Sequence, residues 1–215
     1  PQVGNKPNTD CVSLPGLGGP RLRVGEQRPG GRAARVRADA LKATIDLLEE
    51  VGYERLTVEA VAARAGVHKT TVYRRWPTKA ELVLDATREL SEERIPVPDT
   101  GTLRGDLQAL ARGIVATIGS EAGGRRSRSL VAAATSTPEL AAAMHQFWAE
   151  RLTVTEPIVR RAMARGELPA TADPNTVIEA LIGPLWIRLL LTGEEIDEDF
   201  ADSVAALVAA GAHAT

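Results

Sequence analysis

An all-α fold follows from three features of the chain. Alanine, leucine and valine dominate its apolar residues while aromatics make up only 3%, a balance that favours helices over sheets. Apolar residues recur at helical spacing from about residue 33 onward, as in Leu41, Ile45 and Leu48. No stretch alternates apolar and polar residues in the manner of a half-buried strand, and no internal repeat is present. At 215 residues and 44% apolar, the chain can bury the core of one or two domains.

The elements follow in order. Residues 1–31 are rich in Gly, Pro and Asn without an apolar period, and read as a disordered tail with a basic end. An amphipathic helix is expected over about 33–51, stopped by Gly52. A second, short helix starts behind Thr57 as N-cap, turns Val58, Val61, Ala62 and Ala65 inward, and ends at Gly66. A third runs from about Lys69 to Arg75, before Pro77. Thr78 and Glu81 form a capping box that opens a fourth, which carries Leu82, Val83, Ala86 and Leu90 to about Arg94. "IPVPDTG" is a linker, since its prolines cannot continue a helix. Further helices are expected at about 102–119, 125–135, 138–166, 174–192 and 196–212, broken at Gly119, "EAGG", "TSTP", "RGELPATADP" and "LTGEEIDED". Pro157 and Gly183-Pro184 should kink the helices that contain them.

Charge is divided along the chain. Residues 21–80 hold thirteen basic and seven acidic side chains, whereas residues 81–215 hold twelve basic and twenty acidic ones. The net charge of −2 therefore hides a basic first third, where a polyanionic partner is expected. In that third the two short helices joined at Gly66-Val67-His68 make a helix-turn-helix unit. Ala62 allows a close helix crossing, and Gly66 supplies the positive φ of the turn. Val61, Val67 and Val72 are expected inside, with Lys69, Thr70, Thr71, Tyr73 and Arg74 outside. A short helix so decorated fits the B-DNA major groove, about 12 Å wide.

The stretch "LTVEAVAARAGVHKTTVYRRWPTKAELV" resembles the DNA-binding domain of TetR-type (tetracycline-repressor-like) transcriptional regulators, from about Arg37 to Val83. "RGEL…DP…LIGPLWIRLLLTG" is similar to a pattern of the family's C-terminal part. The resemblance implies a three-helix head over 32–80 and a helical ligand-binding and dimerisation domain over 81–215. It implies that Lys69, Thr70 and Thr71 face base edges, that Tyr73 and Lys79 grip phosphates, and that Thr57 caps beside the DNA backbone. Arg74 joins this set. His68 stands at an N-cap where the family often has Ser or Thr, and as a poor cap it is a candidate DNA contact instead; that choice stays open. Trp76 replaces a commoner Phe, apolar for apolar. Two further alternatives stay open: Tyr73 as a half-buried core residue, and the Arg21–Arg37 stretch as a solubilising tail or as an arm reaching phosphates.

The resemblance also implies a homodimer on a palindromic operator, most simply a repressor, released by a small molecule of unknown identity. Leu181, Leu185, Leu189, Val204, Leu207 and Val208 are the apolar candidates for the dimer interface, with intrachain core as the competing reading on the same helices. Met144, His145, Phe147, Trp148, Met163, Trp186 and Arg188 are the candidates for a ligand pocket. So few aromatics argue against a cage of stacked rings for flat cationic ligands.

Two rival readings are a DNA-binding protein without a sensor and an enzyme in the helical domain. His68, His145 and His213 are far apart, and HExxH, CxxC, GxSxG and P-loop motifs are all missing, so no catalytic residue, metal ligand or cofactor is expected. The single Cys11 excludes an intrachain disulfide. Neither a signal peptide nor an apolar run of about 18 residues is evident, so a cytoplasmic protein without a membrane partner is expected.

Overall fold

The computed structural model describes residues 29–212. The expected tail falls almost wholly outside the described residues, as do Cys11 and His213. Among the described residues the order is α1 Pro29–Arg55, α2 Val58–Arg64, α3 Lys69–Arg75, α4 Lys79–Arg94, α5 Leu103–Ile118, α6 Glu121–Ala134, α7 Pro138–Ala164, α8 Pro174–Ile187 and α9 Glu198–Gly211. A π-helical turn over Arg188–Thr192 extends α8. The fold is all-α, with no strand among the described residues.

The head is built from α1 to α4. Gly52 has φ 75° and ψ 173°, so α1 proper ends there and a separate turn carries the chain to Arg55. A Cβ on Gly52 would lie 2.8 Å from Ser129 Oγ of α6, and the neighbouring Tyr53 N–H donates to that oxygen at 2.8 Å. Glycine is thus demanded by both the backbone angle and the contact. Thr57 Oγ1 accepts from Ala60 N–H at 3.2 Å to start α2. Gly66, with φ 65°, lets Val67 N–H return to the Ala62 carbonyl at 3.0 Å and turns the chain into α3. Thr78 Oγ1 accepts from Glu81 N–H at 3.1 Å to start α4. Leu41, Leu48, Leu56, Val61, Val72, Trp76 and Leu82 fill the core between these helices. That core continues past residue 80 into Ala86 of α4, Leu130 of α6 and Leu140 of α7.

The remaining helices form the body around Leu103, Leu107, Leu110, Ile158, Ile178, Leu181 and Leu185. One expected break is not a break. "EAGG" is the first turn of α6, started by Ser120 Oγ accepting from Gly123 N–H at 3.1 Å. Its glycines are there for close packing: a Cβ on Gly123 would meet the Thr117 carbonyl at 2.0 Å. Pro157 and Pro184 sit inside α7 and α8, and both helices continue through them. The segment Pro174–Thr192 is long and apolar enough to cross a membrane, with mean hydropathy 1.3, which corrects the expectation that no such run exists. In this fold it is a core helix on one side, with Leu181 and Leu185 wholly buried.

The two positive-φ glycines of the head make different demands. Gly66→Ala meets no neighbour within 4 Å and should cost about 1 kcal/mol, the strain of a left-handed alanine. Gly52→Ala adds the Ser129 clash and should cost measurably more, both read by urea denaturation.

Candidate nucleic-acid interface and internal cavity

α3 is held from behind and open in front. Val72 and Trp76 are buried, while His68, Lys69, Thr70, Tyr73, Arg74 and Arg75 are exposed and Thr71 is half-buried. The i, i+4 pair Val72–Trp76 anchors one stripe, so the side chains between them project outward. His68 makes no side-chain cap bond. Tyr73 is exposed rather than half-buried core, and its hydroxyl donates to Glu59 Oε1 at 3.2 Å. Thr57 is exposed beside α2, its hydroxyl engaged in the cap. Lys79 is half-buried: Nζ donates to the Tyr53 carbonyl at 3.0 Å and lies 4.0 Å from the Tyr53 ring centroid. Burial pulls its pKa below the ordinary lysine value. Two of its N–H bonds stay free of the Tyr53 carbonyl.

Trp76 is more than an apolar substitute for Phe. Its Nε1–H donates to Asp85 Oδ2 at 3.0 Å, while Asp85 Oδ1 accepts from Arg37 at 3.0 Å and lies 3.5 Å from Arg88. Arg88 in turn forms a two-bond pair with Glu150 of α7, at 2.7 and 2.9 Å. This carboxylate therefore fixes α3 to α1 and α4, and the network continues into α7.

An internal cavity of about 110 Å³ lies between α4, α5, α6, α7 and α8. Met144, Phe147, Trp148 and Trp186 line it, as the sequence expects of a pocket. Trp148 makes edge-to-face contacts with both Phe147 and Trp186, with centroids 5.4 Å apart in each case. Three of the chain's seven aromatics gather here, edge to face and not as a stack. His145, Met163 and Arg188 are not in the lining. His145 is exposed on the outer side of α7. Met163 packs against the body core, and Arg188 lies over the Phe200 ring at 3.3 Å and donates to the Glu195 carbonyl.

The polar lining comes instead from Arg126, Arg151, Thr87, Ser91, Thr117, Ser127 and Thr155, none of them singled out from the sequence. The available signal was an arginine on an apolar helical stripe: Arg126 precedes Leu130 and Ala133, and Arg151 stands between Phe147 and Thr155 at i±4. Arg126 pairs with Glu49 of α1 and donates to the Thr117 carbonyl at 3.4 Å. Burial holds its guanidinium below the ordinary pKa, with Glu49 opposing that shift.

The apolar candidates on α8 and α9 divide by face. Leu181 and Leu185 are 0% exposed, Leu189 and Val204 6%. They pack in the core of their own chain. Leu207 is 73% exposed and Val208 half-buried. The outward apolar side chains of this region are Ile187 (50%), Leu190, Leu191 (80%) and Leu207. Inner and outer sets share one helix because Leu185 and Ile187 lie about 200° apart at 3.6 residues per turn.

Comparison with known proteins decides the family. The model of the bacterial regulatory proteins, tetR family, matches residues 40–86, and that of the tetracyclin repressor-like C-terminal domain matches residues 97–208. The HTH-type transcriptional regulator AqdR of Rhodococcus erythropolis is 32% identical over 185 residues, covering 86% of this chain and 89% of that protein. The chain belongs to the TetR family. It is a helix-turn-helix transcriptional regulator. Another relative, the uncharacterized HTH-type transcriptional regulator Rv1556 of Mycobacterium tuberculosis, is 38% identical over 162 residues, 75% of this chain and 79% of that one. The crystal structure of the TetR-family regulator SCO0332 superposes with a TM-score of 0.71 at 34% identity, covering 82% of this chain and 98% of that one.

For this TetR-family head, Asp85→Ala leaves the Trp76 N–H without its acceptor and Arg37 with Glu89 alone, and should destabilise by roughly 1–3 kcal/mol. Trp76→Phe removes only the donor and should cost less, because Arg37 and Arg88 still neutralise Asp85. Thermal melts of the two variants test that order.

Proposed function

We propose that the protein is a repressor that binds a palindromic operator as a homodimer and is released by a small molecule in the internal cavity. One observation carries this reading: α6 lines the cavity on one side and bonds to the head on the other. Arg126 and Leu130 face the cavity. From the same helix Arg126 pairs with Glu49, Arg125 Nε donates to the Glu49 carbonyl at 2.8 Å, and Ser129 Oγ accepts from Tyr53 N–H. A ligand that displaces α6 therefore acts on the end of α1, and through the shared core on the spacing of the two recognition helices. The cavity is also the feature that weighs against a DNA-binding protein without a sensor.

In this reading Lys69, Thr70 and Thr71 read base edges, with His68 beside them because its ring is exposed and makes no cap bond. Tyr73, Arg74 and Lys79 hold phosphates, and Thr57 lies along the DNA backbone. The helices α1 to α4 supply the head, so its boundary falls beyond the residue 80 expected from sequence, the later helices supply the sensing and dimerising part, and the basic tail an arm for the duplex. The second copy covers Ile187, Leu190, Leu191 and Leu207, and their exposure as large apolar side chains supports that reading. The protein acts in the cytoplasm, without catalysis.

Selection of bound sequences from a random DNA pool at low salt should enrich a two-fold site, with affinity falling steeply as salt rises. Failure to enrich any sequence would overturn the reading. Lys79→Ala should weaken all sequences alike, whereas Thr71→Ala should change the preferred bases by about 1–3 kcal/mol of discrimination. Glu49→Gln should lower ligand-free operator affinity several-fold in an anisotropy titration, while Glu50→Gln, which loosens only the exposed Arg64 pair, should not. Ile187→Glu with Leu191→Glu should yield a monomer by light scattering.

A further inference from the structure

The cavity wall has a one-sided chemistry. Its charged side chains are Arg126 and Arg151, and no aspartate or glutamate lines it. Arg126 already has Glu49. Arg151 makes no ion pair within 4.0 Å among the described residues: Glu92 acts on it only from farther off, and its hydrogen bond is one N–H to the Ile95 carbonyl at 3.1 Å. Desolvation by burial holds its pKa below the ordinary guanidinium value, yet arginine stays charged in proteins. A half-buried cation with no carboxylate in contact gains from a closer counter-ion. An orphaned donor stands in the same wall. Trp186 Nε1 is buried and has no hydrogen-bond partner, although buried indole N–H groups ordinarily find one.

Resting on the ligand-responsive reading above, we propose that the effector is a hydrophobic carboxylate, its anionic head on Arg151 and an acceptor oxygen for Trp186. The walls around these groups are apolar, with Leu110, Ile114 and Leu130 on α5 and α6 and the Phe147–Trp148–Trp186 edge-to-face cluster. They suit an aryl or alkyl body, and the absence of any acidic lining residue disfavours an ammonium. The open space of about 110 Å³ sets the scale. An apolar cavity of roughly 150 Å³ admits benzene, so a one-ring acid needs only a small expansion of this site.

The test uses the full chain and three compounds of one shape: phenylacetate, its neutral amide phenylacetamide, and the cationic phenethylamine. Calorimetric titration should show the acid binding at least about tenfold more tightly than the amide, a margin of ~1.4 kcal/mol, with the amine weaker still. Arg151→Gln should remove the acid's advantage while leaving amide binding unchanged, and Arg151→Lys should restore part of it. An Arg151 that served only to hold the Ile95 carbonyl would lower the melting temperature without altering the acid-to-amide ratio. Equal or tighter binding of the amide or amine by the unaltered protein overturns the proposal, as does the failure of all three to bind. The wild-type comparison decides the matter even if the glutamine variant does not fold. Operator binding measured without any compound keeps the two readings apart. A protein that binds operator but shows no acid preference loses only this inference. One that binds the acid but no operator loses the repressor reading.

Discussion

The side chain of Arg126 is 4% exposed, and a charge in that position must be met from within the protein. Glu49 meets it, and Glu49 belongs to the head while Arg126 belongs to the wall of the cavity. Much else around the seam is arranged so that this pair can form. Gly52 lets the chain turn away immediately after Glu49 and lets α6 approach. Ser129 takes the first N–H beyond that turn, and Arg125 takes the Glu49 carbonyl left open at the end of the helix. The seam is a polar joint between two apolar cores. Breaking one partner of such a pair strands a buried charge, so the joint has few intermediate positions.

A second constraint arises at α8. Its sequence "VIEALIGPLWIRLLL" has too few polar positions to give the helix a wet face. One side, with Leu181 and Leu185, is consumed by the body core. A second, with Ile182 and Trp186, closes the cavity. The side with Ile187, Leu190 and Leu191 faces outward. One helix thus takes part in core, cavity and outer surface, and a change in cavity occupancy has a short path to the surface assigned to the second copy.

Much of the head was legible because its signals are local. Thr57, Thr78 and Gly66 act on residues within a few positions of themselves, by hydroxyl caps and by a positive φ, so their effects can be read along the chain. The aromatic part of the cavity was legible for a different reason, since large side chains on two amphipathic helices have few places to go. The charged part was not legible. Arg126 and Arg151 resemble surface arginines in sequence, and Arg188, passed over by the cavity, looks just like them. "EAGG" also misled, because two glycines signal a break unless something packs against them, and Thr117 and Leu189 do so here.

By itself the sequence determined the helical class, the helix-turn-helix with its caps and turn, and which side of the recognition helix is apolar. Each rests on periodicity or on interactions between residues close in the chain. Only the tertiary structure decided that Leu181, Leu185, Leu189 and Val204 are intrachain core and that Leu207 and Leu191 are the outward ones. It also decided that Lys79 leans on Tyr53, that Trp76 and Arg37 share Asp85, and that Arg151 lines the cavity. These depend on how helices rotate about their axes and where they cross. A helix apolar on every side leaves that rotation undetermined until its neighbours are in place.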